Sequence, residues 1–196
     1  MPQIQQDLHT GLGQIEFELD QDEYAAIGRV MVQWAYLEQG IYEMSVGVAD
    51  AFGIETPKNA RHKSFSKRAR TLRDLVRSYL DDRLKERFER LLDTAALLAD
   101  QRNQVAHGTW EWDLNDPDLL TASCLRPSAE FEKNYRCDQI HELADKIGRL
   151  SFDFQYEGGW EEAFIDTITN GNPEAKNISY CSVLRHHVRL KRQQTP

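Results

Sequence analysis

The chain has 196 residues, a formal net charge of −8 and 40% hydrophobic residues. That size and balance suit one globular domain with a decorated C-terminus, and they exclude a surface that binds nucleic acid over its whole extent. No apolar run approaches the roughly 20 residues of a membrane span. Met1 to Thr10 lacks the apolar stretch of a secretory signal, and Cys124, Cys137 and Cys181 lack metal-ligand spacing, which together point to a reducing cytoplasm.

In chain order, Ile15, Phe17 and Leu19 alternate with Glu16 and Glu18, the period of an extended arm that ends at residue 19. Asp20 and Glu23 have the spacing of a capping box. They open a long helix predicted over 21–52. Its seam is Ile27, Met31, Trp34, Glu38, Ile41, Ser45 and Val48, widened by Val30, Leu37 and Met44, and Gly53 stops it. A linker over 54–63 leads to a shorter helix over 64–80 with the seam Ala69, Leu72, Val76 and Tyr79. From Thr56 to Arg73 there is no acid, while Lys58, Arg61, Lys63, Lys67, Arg68, Arg70 and Arg73 are basic. This face is either a solvated helix surface or a phosphate contact, with Lys67, Arg68 and Arg70 the candidates to touch RNA.

Asp81 and Asp82 begin the next helix, which ends before Gly108. Its seam is Leu84, Phe88, Leu91, Ala95, Leu98, Arg102 and Val105. The pattern then changes. Thr109 to Leu114 alternates and is rich in tryptophan, Asn115 to Asp118 is a turn, and Leu119 to Leu125 returns, which predicts a β-hairpin. Trp110 and Trp112 either pack that hairpin onto the helices or offer stacking platforms to bases. Arg126-Pro127 opens a loop holding Phe131 and Tyr135. Asp138 caps a last long helix with the seam Ile140, Leu143, Ile147, Leu150 and Phe154, which Gly158-Gly159 breaks. Trp160, Phe164 and Ile168 suggest a further short helix before a basic tail with Arg185, Arg189, Lys191 and Arg192. The predicted fold is mainly α: an up-and-down bundle of four to five helices, with a β-hairpin inserted at about 109–125. The chain divides into an N-terminal arm (1–19), the helical domain (20–157) and a C-terminal extension (158–196).

Two charges break the apolar seams, Glu38 on the first long helix and Arg102 on the later one. A charge in a core-facing slot needs a partner or a task, so the two are expected to meet. They form either a buried pair that fixes helix register or a carboxylate that orients a guanidinium fork at an anion site. Asn103 and His107 are four apart and share a helix edge. A cation, an amide and a titratable imidazole at one helix end can hold an anion and move a proton. Among the six histidines, His62, His186 and His187 included, no metal site is legible.

The run Arg102-Asn103-x-x-x-His107-Gly108 closes a long periodic helix and follows an upstream helix carrying Trp34-Ala35-Tyr36-Leu37-Glu38. It resembles the R-x4–6-H signature of HEPN domains (higher eukaryotes and prokaryotes nucleotide-binding), over roughly Asp20 to Phe154. That resemblance implies a metal-independent, cofactor-free endoribonuclease, a toxin or defence component, that leaves 2′,3′-cyclic phosphate and 5′-hydroxyl ends. In that scheme Arg102 holds the phosphate, His107 is the general acid or base, and Asn103 and Glu38 orient the groups. It also implies RNA, a homodimer and a protein antitoxin or other regulator as partners, in the cytoplasm and not at a membrane. The small residues Ala99 and Ala106 would let a second signature helix approach. The other reading of the same residues is a non-catalytic HEPN-like nucleotide-binding or dimeric interaction module.

Overall fold

A computed structural model of the chain describes residues 19–156 apart from 114, 127 and 128. The arm before Leu19, the Trp160–Phe164–Ile168 helix and the tail with Cys181, His186 and His187 lie outside the described residues. Within them the protein is mainly helical, with a small antiparallel sheet.

Helix α1, Gln21–Phe52, has the predicted bounds. Asp20 Oδ1 accepts from the Glu23 amide at 2.8 Å, and Glu23 Oε2 accepts from the Asp20 amide at 2.7 Å, closing the capping box. Gly53 ends the helix in the left-handed region at φ 67°, where a side chain would be strained. A 3₁₀ turn, Lys58–Arg61, is tied back to α1 by Arg61, whose Nε donates to the Tyr42 hydroxyl at 2.7 Å. Helix α2 follows over Phe65–Tyr79, α3 over Asp82–His107 and α4 over Cys137–Gln155.

Specific side-chain contacts set the helix directions. The rings of Phe65 and Tyr79, at the two ends of α2, lie 4.8 Å from Trp34 and 5.2 Å from Phe52, so α2 runs in the same sense as α1. Arg73 reaches both Glu89 and Asp93, and Arg77 reaches Glu89, so α3 runs back against α2. Arg29 pairs with Asp145 at 2.5 Å, and a Cβ on Gly40 would meet Gln155, so α4 is parallel to α1. The linker before α2 returns the chain to the level of Trp34, which replaces strict up-and-down alternation. Helices α1 and α4 start side by side at one end of the bundle, whereas α2 starts partway along α1, at the level of Trp34, where the last turns of α3 also lie. Val30, Trp34, Leu37, Ile41 and Val48 of α1, Leu72 and Val76 of α2, Phe88 and Leu92 of α3, and Ile140, Ile147 and Phe154 of α4 fill the core. At the Leu91–Leu92 step the fully buried residue of α3 is Leu92.

The sheet is a meander, β1 (Thr109–Asp113), β2 (Asp116–Arg126) and β3 (Ala129–Tyr135), with β2 central. The predicted hairpin is β1–β2, and the segment read as a loop after Arg126 is a third strand that pairs Leu120 with Tyr135 and Cys124 with Phe131. Glu130, Glu132, Lys133 and Asn134 hide its alternation, as charges do on an edge strand. Gly108 is in ordinary extended geometry, with φ −69°. Its reason is space: a Cβ there would lie 2.8 Å from the Gln104 carbonyl oxygen and 2.9 Å from Ala122 Cβ, where β2 crosses the helix end.

Candidate phosphate-binding cleft

An open cleft of about 880 Å³ lies between α1, the start of α2 and the last turns of α3. Trp34 and Glu38 come from α1, Lys63 to Ser66 from the entry to α2, Arg70 from α2, and Ala99, Asp100, Arg102 and Asn103 from α3. Five cations (Lys63, Arg70, Arg73, Arg77, Arg102) and three carboxylates (Glu38, Asp74, Asp100) line it, so the cleft is locally positive on an acidic chain.

Arg102 stands over the Trp34 ring, its guanidinium carbon 5.4 Å from the ring centroid, a cation–π arrangement. Its Nη1 donates to Asn103 Oδ1 at 3.1 Å, and its Nε is buried without a hydrogen-bond partner. Burial lowers the Arg102 pKa from its ordinary value; Glu38 opposes that shift and Arg68 adds to it. The group stays charged at neutral pH, because a guanidinium is so weak an acid. It is therefore a half-buried cation that shares no carboxylate and retains a free donor.

The expected Glu38–Arg102 ion pair does not form. Glu38 pairs with Arg68 of α2, and both side chains are largely buried, 23% and 17% exposed. A helix seam is wide enough to touch two neighbours. The flank carrying Glu38 faces α2, while Trp34, one turn earlier, takes the place under Arg102. Glu38 acts on Arg102 only through space, and its carboxylate is held by Arg68 in the wall of the cleft.

The entry to α2 is the second part of the site. Helices α1, α3 and α4 carry Asp22 and Glu23, Asp82, and Asp138 in their first turns; α2 carries no acid there. Its N-cap residue Ser64 makes no capping bond, its hydroxyl sharing a 2.8 Å hydrogen bond with Ser66 Oγ and its amide donating to His62 Nδ1 at 2.9 Å. The first-turn amides of α2 therefore have no side-chain cap, and they end a helix whose dipole is positive there. Among the described residues, Lys63, Arg70 and Arg102 have no carboxylate within ion-pair distance.

Of the three residues expected to touch RNA, Arg70 lines the cleft. Lys67 is exposed, with Nζ 3.4 Å from His62 Nε2, and Arg68 is tied to Glu38 and not free to bind. Much of the basic face of α2 is internal wiring, because Arg73 and Arg77 hold α3 through Glu89 and Asp93. Asn103 lines the cleft, as its spacing suggested. His107, the last residue of α3, is exposed and lies outside that lining. Five residues turn it about 140° from Arg102, but it shares the Asn103 edge one turn further on. Ala99 lines the cleft and is half-buried against the core. Trp110 and Trp112 are half-buried against the core, and Trp110 Nε1 donates to the Val105 carbonyl at 3.3 Å, which makes them packing residues. Sequence reasoning assigned Trp34 to the core alone and passed over Ser64 and Ser66. The signals were an aromatic one turn before a seam charge, and a serine-rich, acid-free helix entry.

Comparison with known proteins finds no matching family model, no matching curated protein and no matching solved structure. The reading of the site rests on its own residues.

Proposed function

We propose that this protein binds the phosphate of a nucleotide or an RNA strand in the cleft between α1, α2 and α3, as a HEPN-like nucleotide-binding module. The observation that carries this reading is the convergence of Arg102, half-buried over Trp34 without a carboxylate, on the uncapped, acid-free N-terminus of α2. Helix N-termini bind phosphate through amide donors and the dipole, and a guanidinium supplies directed donors to the same oxygens. The Trp34 ring below attracts the guanidinium through its π face. The test is binding of a labelled single-stranded RNA and of a nucleoside triphosphate to wild type and Arg102→Ala. A charged hydrogen bond is worth about 1.5–3 kcal/mol, so Arg102→Ala weakens binding about tenfold to a hundredfold. Binding should also fall as salt rises. Equal affinity in the two proteins overturns the reading.

A second reading is the metal-independent endoribonuclease, and one observation favours it: His107 is exposed at the end of the helix that carries Arg102 and Asn103. Within one chain the imidazole stands beyond the cleft rim, so this reading requires a homodimer in which a second copy brings His107 towards the bound phosphate. Leu97, 69% exposed on the same helix, is the apolar residue such a contact would cover. The 2′-hydroxyl would lose its proton to His107 and attack the adjacent phosphorus, expelling the 5′-oxygen, which takes up a proton from solvent to become the 5′-hydroxyl. Arg102 would carry the developing charge.

A further inference from the structure

At the corner where α1 and α4 begin side by side, three donors of different chemistry come together outside the cleft. Asp22 is in the first turn of α1, and Cys137 and His141 are one turn apart on α4. One carboxylate oxygen, the thiol sulfur and one imidazole nitrogen all lie within 4.8 Å of one another. The acids around them are not equivalent. Asp20 and Glu23 are used in the capping box, and Asp138 accepts from the Gln139 amide at 2.8 Å. Asp22 makes no hydrogen bond or ion pair among the described residues, so its carboxylate is free to act as a ligand. The Cys137 thiol is free of any disulfide, and His141 Nδ1 is buried without a hydrogen-bond partner.

We propose that Asp22, Cys137 and His141 form a site for a zinc-class divalent cation, with water in the fourth position. Thiolate, imidazole and carboxylate together select a borderline-soft ion that accepts four-coordinate geometry. With metal–ligand bonds of about 2.0–2.3 Å, tetrahedral donors stand about 3.5 Å apart. Small side-chain rotations close the present spacing, and Asp22 is exposed and free to make them. Two helix N-termini alone would repel a cation. Burial and, after it, the charges of Asp22, Asp20, Glu23 and Asp138 raise the pKa of the Cys137 thiol, and those four acids oppose the field of the helix ends. On binding, metal–sulfur, metal–nitrogen and metal–oxygen bonds form and the thiol proton leaves to solvent. The ion would staple the start of α4 to the start of α1. Asp22 is twelve residues before Trp34, about 18 Å along the helix, so the site is independent of phosphate binding in the cleft.

The test is titration of Co²⁺, then Zn²⁺, into the chelator-treated full chain. The wild type should bind one equivalent of Co²⁺ with a thiolate-to-cobalt charge-transfer band, which Zn²⁺ displaces. Cys137→Ser, checked for folding by circular dichroism, should lose the band, and the Cys124→Ser/Cys181→Ser double variant should keep it. Asp22→Asn, at an exposed position, should weaken binding by about tenfold or more, and it keeps the test decisive should Cys137→Ser fail to fold. A folded wild type that gives no charge-transfer band, a band lost with Cys124 and Cys181, or Asp22→Asn binding like wild type overturns the site.

Discussion

The N-terminal end of α2 and the paired N-terminal ends of α1 and α4 are the same physical object dressed with opposite charge. At α2, Lys63, Lys67 and Arg70 surround an entry with no acid and no side-chain cap, so the positive field of the helix is left uncancelled and Arg102 adds to it. At α1 and α4, Asp20 and Glu23 close a capping box, and Asp22 and Asp138 add further negative charge in the first turns beside Cys137. A helix start is therefore not an anion site by default. The side chains of its first turn decide whether the dipole is used, cancelled or reversed. The two kinds of helix start stand apart in one molecule, since α2 begins at the level of Trp34 and α1 and α4 begin together near Asp22.

The largest effect expected belongs to the cleft end. If cleavage runs through its rim, His107→Ala slows RNA cleavage by about 10²–10⁴-fold while leaving RNA binding near wild type. A gel assay of RNA ends beside a binding curve checks both, and cleavage at full rate without His107 removes the imidazole from the mechanism. The wall of the cleft gives the next. Glu38→Gln strands the largely buried Arg68, which costs about 1–3 kcal/mol, read as a lower urea midpoint. Arg102→Ala should destabilise less, since Arg102 shares no carboxylate; equal losses would indicate that Glu38 serves both arginines. A third variant makes the two ends alike. Ser66→Asp places an acid in the first turn of α2, so it should raise the melting temperature slightly, by about 0.3–1 kcal/mol of helix stabilisation, while weakening RNA binding. Movement of both readouts in the same direction would break the comparison.

The smallest effect lies at neither end. The Tyr135 hydroxyl donates to Gln104 Oε1 at 2.7 Å, and burial raises its pKa above the ordinary tyrosine value. The neutral phenol is favoured by the fold, so its contribution is complete below the unfolded value of about 10 and is lost as pH rises through the folded one. Tyr135→Phe should therefore flatten the alkaline limb of a stability-versus-pH curve and leave no new feature at neutral pH. An unchanged alkaline limb would show that Tyr135 is not the group responsible.

Much of this molecule was legible in its residues. The capping box at Asp20 and Glu23, the glycine at 53 and a seam that keeps its period through Glu38 gave α1 its observed bounds, and the same logic placed α3, α4 and the β1–β2 hairpin. What was hidden was hidden for physical reasons. Strand β3 presents charges at an edge, so its period is masked. The requirement for glycine at 108 is steric and set by Ala122 on β2, a contact that the local pattern at the helix end does not show. Periodicity located Glu38 and Arg102 on the inward sides of their helices but could not say which neighbour each faced, and Arg68 took the partner expected for Arg102. Cys137 and His141 carry no familiar ligand spacing, because the third member of their cluster, Asp22, comes from a helix more than a hundred residues earlier.

The most direct measurement is an amide and indole NMR titration of the full chain with a short single-stranded RNA. Phosphate binding in the cleft predicts that the Ser66 and Lys67 amides, the Asn103 amide and the Trp34 indole shift together and saturate at one concentration. In Arg102→Ala those shifts should be lost or displaced to far higher concentration. Shifts that cluster instead on β3 or on the first turn of α4, with Ser66 and Trp34 unmoved, would contradict the assignment of the cleft.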